Sequence, residues 1–323
     1  MTTITAPEAQ RSAGSRLPAL LARLMGVRAA EASWVAPAML GVVGLAAILY
    51  LVNLTVSGYA NTYYSAAALA GSQSWSAWFF GSIDSANFIT VDKPPLGTML
   101  IGLSVRLFGL SSWSILLPEA LAGVGTVVIL MATVRRTFGP AAAVMAGLVS
   151  ALTPAAVLIF RYDNPDALLT LLLVGAAYAF VRSLERGSLR WVATAAILVG
   201  FGFLTKYLQA WFVLPAFALT WLVAAPGTLG RRVVGLAVAF VSVIAASGWW
   251  VAIMELIPAA SRPYIGGSET NSVLQLLLGY DGLGRIFGQG GGAGGPGGGG
   301  GGGFSGTPGL LRLFNAELGG QVA

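Results

Sequence analysis

The residues of this chain best suited to chemistry sit in short polar breaks between long apolar runs. The first is Val91-Asp92-Lys93-Pro94-Pro95-Leu96, with Asp84 upstream. An acid beside a lysine, stiffened by two prolines, suits a site that holds an anion and a polar acceptor together. Proline fixes φ, so the Asp92/Lys93 pair loses little further entropy on organisation. The alternative is a capped loop carrying a neutralised ion pair. The second break is Arg161-Tyr162-Asp163-Asn164-Pro165-Asp166. Pro165 and Asp166 fit a helix start, where the macrodipole favours an acid. That accounts well for Asp166 and poorly for Asp163. These two acids, with Asn164, could also hold Mg2+ or Ca2+ through oxygen, or orient the hydroxyls of a sugar.

Lys93 and Lys206 are the only lysines among 18 basic residues. A lysine suits a compact point-charge contact to phosphate, and snorkelling to lipid headgroups is the alternative for either one alone. Glu119 lies roughly 9 Å into its apolar run at helical rise. An intramembrane acid is a functional candidate by default; its alternative is a structural pairing with Arg106. Tyr59, Asn61, Tyr63 and Tyr64 follow the first apolar run as an interfacial aromatic belt or a sugar-binding surface. Arg262-Pro263-Tyr264-Ile265-Gly266-Gly267 and Gly279-Tyr280-Asp281-Gly282 are polar turns able to close over a substrate. The glycines after Asp281 form no dinucleotide fingerprint, because no βαβ unit surrounds them.

These residues are set in a chain of 323 residues, 56% hydrophobic and 9% charged, with a mean hydropathy of +0.79. Ordinary soluble domains are about 25% charged. A soluble globule, a disordered chain and a coiled coil are therefore excluded, and the composition is that of an all-α polytopic membrane protein. The chain has no Cys and no His. Thiol nucleophiles, disulfides, Ser-His-Asp hydrolysis and conventional zinc sites are thereby removed. Acid–base chemistry must use carboxylates, Lys or Tyr. The net charge of +6 does not mark a nucleic-acid binder once the charges are placed along the chain.

Seven apolar runs approach the ~20 residues that cross a bilayer: Val35–Val56, Trp113–Val134, Pro140–Phe160, Ala167–Ser183, Arg190–Thr205, Leu208–Ala225 and Val233–Met254. The short Pro95–Leu110 segment is settled by the positive-inside rule. If it does not cross, the basic amino-terminal arm, Arg135/Arg136, Arg182/Arg186/Arg190 and Arg231/Arg232 share one side, and nearly all the acids face the other. It is therefore placed in a long first outer loop over 57–112. The resulting organisation is a cytoplasmic basic arm over 1–34, a catalytic membrane region over 35–256, and an outer loop over 257–308 with a Gly-rich tract at 288–306. Residues 309–323 begin a further region, which suggests an incomplete chain.

At these residues the chain resembles the family 39 bacterial membrane glycosyltransferases, GT-C-fold relatives of protein O-mannosyltransferases and lipid A aminoarabinose transferases, and within them a mannosyltransferase subgroup. The likeness is carried by Gly58-Tyr59-Ala60-Asn61-Thr62-Tyr63-Tyr64, Val91 to Leu96, Leu116-Leu117-Pro118, Arg135-Arg136-x-Phe138-Gly139 and Asn164-Pro165-Asp166. Leu208-Gln209-Ala210, Leu214-Pro215 and Tyr264-Ile265-Gly266-Gly267 extend it. The resemblance implies a GT-C-like helix bundle with membrane-parallel helices in the first outer loop. It implies transfer of a sugar, mannose by the subgroup, from a polyprenyl-phosphate donor to a cell-envelope glycan, lipid or protein acceptor at the outer face. It places Asp92 and Lys93 at the donor phosphate and the span-opening acid at Asp166; the residues themselves add Lys206 and Arg161 as further candidates for the phosphate. Asp163, Asn164, Asp166, Tyr59 and Asn61 then position substrate, with Asp163 and Asp166 the candidate ligands of a divalent cation. Many relatives carry an acid just after the first span as the base. This chain has Gly58-Tyr59-Ala60-Asn61 there, which leaves Asp84 or Asp92 as the catalytic base. The metal-binding His of the aminoarabinose enzymes cannot exist here, so zinc dependence does not carry over. A lipid or polysaccharide flippase and a non-catalytic membrane scaffold remain the competing readings.

Overall fold

The structure is a computed structural model that describes residues 33–279. The basic arm before Ser33, the Tyr280-Asp281-Gly282 turn, the Gly-rich tract and the carboxyl-terminal stretch lie outside the described residues. The helices are α1 (Val35–Leu51), α2 (Thr62–Gln73), α3 (Trp75–Phe80), α4 (Leu96–Phe108), α5 (Ser112–Leu152), α6 (Pro154–Ile159), α7 (Asp166–Arg186), α8 (Leu189–Lys206), α9 (Leu214–Ala224), α10 (Leu229–Leu256) and α11 (Val273–Leu278). The described residues contain no strand, only the isolated bridges Ser82–Thr90 and Ile89–Tyr264. An all-α class follows, as the composition required.

Five helical stretches are long and apolar enough to cross a membrane. Two of them fold back on themselves, which reconciles five stretches with seven apolar runs. In α5 the helix breaks at Gly139, whose φ of 84° lies in the left-handed region. Residues on either side of the break then meet: Gly147 packs against Met131, and Gly123 against Phe160. Glycine adopts this backbone at no steric cost, and Pro140 after it cannot continue the incoming helix's hydrogen bonds. The second reversal falls at Tyr207, a non-glycine residue at φ 46°. It turns α8 into a 3₁₀ segment, Tyr207–Val213, and then α9. Phe203 meets Trp211 across it, and farther along Phe180 of α7 stacks on Phe217 of α9 with ring centroids 4.4 Å apart.

Helix α4 is only 13 residues long. At 1.5 Å per residue it spans ~20 Å, short of the ~30 Å hydrocarbon layer. It packs on α2 and α3, between the first two long helices in the chain. Local chemistry starts these segments where they start. Asn61 caps α2 by accepting from Tyr63 N–H. Ser111 and Ser114 form a reciprocal capping box on α5, and Ser74 and Thr228 cap α3 and α10. Each such cap is worth roughly 0.5–2 kcal/mol.

Two clusters fix the end of the bundle that carries the polar breaks. One joins α1, α5 and the α6–α7 turn through Tyr50, Leu54, Ile115 and Phe160. The other joins α8 and α10 to the loop after α10 through Phe203, Tyr207, Met254, Ile265 and Leu276. The α5 hairpin depends on close approach: a Cβ on Gly123 would stand 2.5 Å from the Phe160 ring. Gly123→Leu should therefore lower the thermal midpoint in detergent by an overpacking cost of about 1–3 kcal/mol. Gly41→Ala, where a Cβ meets nothing within 4 Å, should not lower it, since alanine is the better helix former.

Candidate functional site

The polar breaks converge at one end of the bundle. The loop from Gly81 to Pro95 is a tight hairpin closed by the Ser82–Thr90 bridge. Asp84 sits at its tip, where its carboxylate accepts from Phe88 and Ile89 backbone N–H groups. Such a bond set shapes a turn. Asp92 follows the hairpin, and its backbone N–H donates to the Tyr63 hydroxyl at 3.1 Å. Lys93 is only 7% exposed, and its ammonium holds the Asp92 carboxylate at 2.8 Å. A buried ammonium without a partner would be costly, so the adjacent acid is what permits Lys93 to lie inside.

The loop after α10 clasps this hairpin. Tyr264 N–H donates to Phe88 O, and Thr90 N–H donates to Tyr264 O. Gly266 N–H donates to the Thr90 hydroxyl. A Cβ on Gly266 would fall 2.1 Å from Thr90 O, and one on Gly267 would meet the Asp92 side chain. The Tyr264-Ile265-Gly266-Gly267 turn is thus a backbone brace behind Asp92 and Lys93, held from below by Ile265 in the core.

The turn before α7 supplies the facing wall. Lys93, Pro94, Gly97, Thr98, Tyr64, Asp163 and Pro165 line one small pocket. Asn164 closes the turn by accepting from Asp166 N–H. Asp166, in the first turn of α7, pairs with Lys206 at the end of α8. Two Lys–Asp pairs therefore flank the Asn164–Pro165 turn. Asp163 is fully buried; its Oδ2 accepts from the Ser65 hydroxyl at 2.9 Å, while its Oδ1 has no hydrogen-bond partner. Burial pushes the Asp163 carboxyl up to about 7, against the opposing pull of the Ser65 hydrogen bond.

Several expected residues have other tasks. Arg161 donates to the carbonyls of Leu49, Tyr50, Val52 and Asn53. It caps the carboxyl end of α1 rather than facing the Lys93 pocket, because those carbonyls have no partner within the helix. Asn61 is the cap of α2, and Tyr59 is exposed at 44% with its carbonyl accepting from Ser65. Arg106 does not pair with Glu119: it donates to Gly71 O and stacks 3.7 Å over Trp75. Glu119 is buried, and neither carboxyl oxygen has a hydrogen-bond partner. Among the described residues no group of three or more His, Cys, Asp or Glu could hold a metal ion. The Asp166 carboxylate is already satisfied by a lysine. Ser65 has no mark in the sequence, since a serine within an alanine-rich helix carries no pattern of its own, and neither have Gly97 and Thr98 of the pocket.

An apolar helix bundle with interrupted hairpins and short helices packed between its first two long segments is the GT-C arrangement. The solved structure of ArnT from Cupriavidus metallidurans, in the apo state, has this fold: the TM-score is 0.52 at 22% identity, over 66% of this chain and 41% of that one. Residues 92–251 match the family model described as dolichyl-phosphate-mannose-protein mannosyltransferase. The chain is similar to two Bacillus subtilis (strain 168) proteins. One, named "Putative mannosyltransferase YkcB", is 44% identical over 76% of this chain and 34% of its own length. The other, "Putative mannosyltransferase YycA", is 40% identical over 76% of this chain and 36% of its own. The chain thus spans about a third of the length of these curated relatives. It is a multi-pass membrane protein with a GT-C fold, similar to the protein mannosyltransferases and to ArnT.

Two outcomes follow from this geometry. Arg161→Gln should free the α1 carbonyls and lower stability by about 1–3 kcal/mol, read as a lower thermal midpoint. Asp163 carries a carboxyl raised above its unfolded value, so the folded state binds the proton more tightly. Its ionisation therefore destabilises the fold as pH rises from ~4 towards 7. Asp163→Asn should raise the thermal midpoint at pH 8 relative to wild type and change it little at pH 4.

Proposed function

We propose that this protein is a membrane glycosyltransferase that takes a sugar from a polyprenyl-phosphate donor and delivers it to a hydroxyl-bearing acceptor at the outer face of the cell membrane. Mannose is the sugar favoured by the names of its relatives. The observation that carries the reading is the placement of the two lysines of the sequence. Lys93 and Lys206 both lie at one end of an apolar bundle, each held by an aspartate, on either side of the Asn164–Pro165 turn. A donor of this class is a phosphodiester, and its leaving group is a phosphate monoester that gains charge as the sugar departs. Fixed ammonium groups in a site sheltered from water stabilise that charge more strongly than they could in water.

The charge distribution supports the sidedness. Arg135, Arg136, Arg182, Arg186, Arg190, Arg231 and Arg232 belong to the opposite end of the bundle, with Glu185 their acidic companion, bound to Arg136 at 2.7 Å. The positive-inside rule favours a cytoplasmic location for that end, and with seven crossings this supports a reading in which Asp92, Lys93, Asp166 and Lys206 face outward. The polyprenyl chain has the surrounding bilayer as its solvent, so only its phosphate and sugar need the polar pocket. The acids gather at this boundary rather than at the bilayer midplane, where a transporter keeps its coupling sites.

The test is transfer from a radiolabelled polyprenyl-phosphate mannose to a membrane extract, using the purified chain in lipid nanodiscs. Lys93→Gln and Lys206→Gln should each raise the donor KM by about tenfold or more, the loss of one charge-assisted contact of ~1.5–3 kcal/mol. Thermal unfolding of the same variants should show folded protein. Unaltered KM values in both would remove the lysines from the donor site.

A further inference from the structure

The phosphate reading leaves one carboxylate of the pocket unused. Asp163 is fully buried, lines the same pocket as Lys93, and is bonded on one oxygen only. The other acids near the hairpin are committed. Asp84 is bound to two backbone N–H groups at its turn, and Asp92 holds the Lys93 ammonium. Glu119 is buried on α5 but does not line the pocket. We propose that Asp163 is the general base of the transfer, its Oδ1 taking the proton of the acceptor hydroxyl beside Lys93. This assignment rests on the glycosyltransferase reading and replaces Asp84 and Asp92 in that role.

The step balances in protons and charge. The acceptor O–H proton moves to Asp163 Oδ1 as the acceptor oxygen bonds to the anomeric carbon. The bond from that carbon to the phosphate oxygen breaks, and its electron pair leaves with the polyprenyl phosphate, whose new charge faces Lys93. Asp163 then gives the proton to the departing phosphate monoester and returns to a carboxylate.

Ser65 suits a base that must gain and lose a proton in place. Its hydroxyl lies 2.9 Å from both Asp163 Oδ2 and Tyr59 O, but it has one hydrogen to give. With Asp163 ionised, that hydrogen serves the carboxylate. With Asp163 protonated, it can serve Tyr59 O instead. Ser65 is therefore a positioning residue for the base. The groups that surround Asp163 are Glu119 from α5, Tyr64 from α2, Lys93 with Asp92 from the hairpin, and Asp166 with Lys206 from α7 and α8. Burial holds the carboxyl near 7, where a general base works best at neutral pH.

The experiment measures kcat, donor KM and the pH–rate profile in the nanodisc assay for wild type, Asp163→Asn and Ser65→Ala. Asp163→Asn should lower kcat about 10²–10⁴-fold with little change in donor KM, and should lose the rise of rate with pH through about 7. Ser65→Ala removes the bond that favours the carboxylate, so its profile should shift to higher pH. A purely structural role for Ser65 would not move that midpoint. Wild-type kcat in Asp163→Asn, or an unmoved midpoint in Ser65→Ala, would overturn the assignment while leaving the donor reading intact. No transfer by the wild-type chain would overturn the glycosyltransferase reading and this inference together. Should Asp163→Asn fail to fold, the Ser65→Ala midpoint decides.

Discussion

The cost of burying charge in an apolar bundle organises this end of the molecule. A lysine, an arginine or an aspartate placed among alkyl side chains must be paired or hydrogen-bonded, and breaking such a pair on one side only is worth about 3–5 kcal/mol. The structure meets this demand residue by residue. Lys93 carries its partner in the preceding residue, Lys206 finds Asp166 across two helices, and Arg161 spreads its guanidinium over the open end of α1. Each solution ties together segments distant in sequence. The Lys206–Asp166 pair fixes the end of α8 against the start of α7, and the Arg161 cap fixes the turn before α7 to α1. Charge pairing therefore does more here than neutralise ions: it sets where the polar breaks lie relative to one another.

Two buried carboxyl groups are less than fully satisfied, and the contrast between them is informative. Asp163 and Glu119 both keep carboxyl oxygens without partners. Glu119 lies within α5, beside the hairpin core, and has no hydrogen-bonded neighbour at either oxygen. Asp163 lines the pocket with one oxygen bonded and the other buried without a partner. A half-satisfied carboxyl that lines a cavity is placed to exchange a proton with what enters, whereas one outside that lining is not. Stability and reactivity are thus opposed at Asp163, as they are at many functional sites. The local fold tolerates the cost because Ser65, Asn164 and Pro165 hold the turn rigid on every other side.

Much of the fold was legible in the sequence, for a physical reason. Apolar runs, polar breaks and the arginine bias obey bilayer thickness and charge asymmetry, which act on sequence directly. Both chain reversals lie between runs read separately, at Gly139 and at Tyr207. The first has a glycine to announce it; the second does not, since a tyrosine at positive φ is held there by packing of its ring against Phe203 and the core around Met254. The site was legible in part. Asp92, Lys93, Asp163, Asp166 and Lys206 stand out because charge is scarce in such a chain. What the sequence concealed was their partners: Ser65 for Asp163, and the carbonyls of α1 for Arg161. Those choices depend on which helices pack together, which no local pattern encodes.

The brace behind the hairpin extends the same logic from pairing to distance. The Asp92–Lys93 pair could neutralise itself in many places, yet only one places the ammonium opposite Asp163. The hairpin alone does not select that place, because a short ribbon closed by a single bridge is marginal on its own. The loop after α10 selects it through three backbone-directed hydrogen bonds and the close contact of Gly266 with Thr90 O. Ile265 then transfers the position of that loop to the core shared by α8 and α10, the same core that holds Tyr207 beside Lys206. One apolar cluster therefore sets the positions of both lysines. The placement of the two ammonium groups thus follows from side-chain packing beneath them rather than from either loop alone.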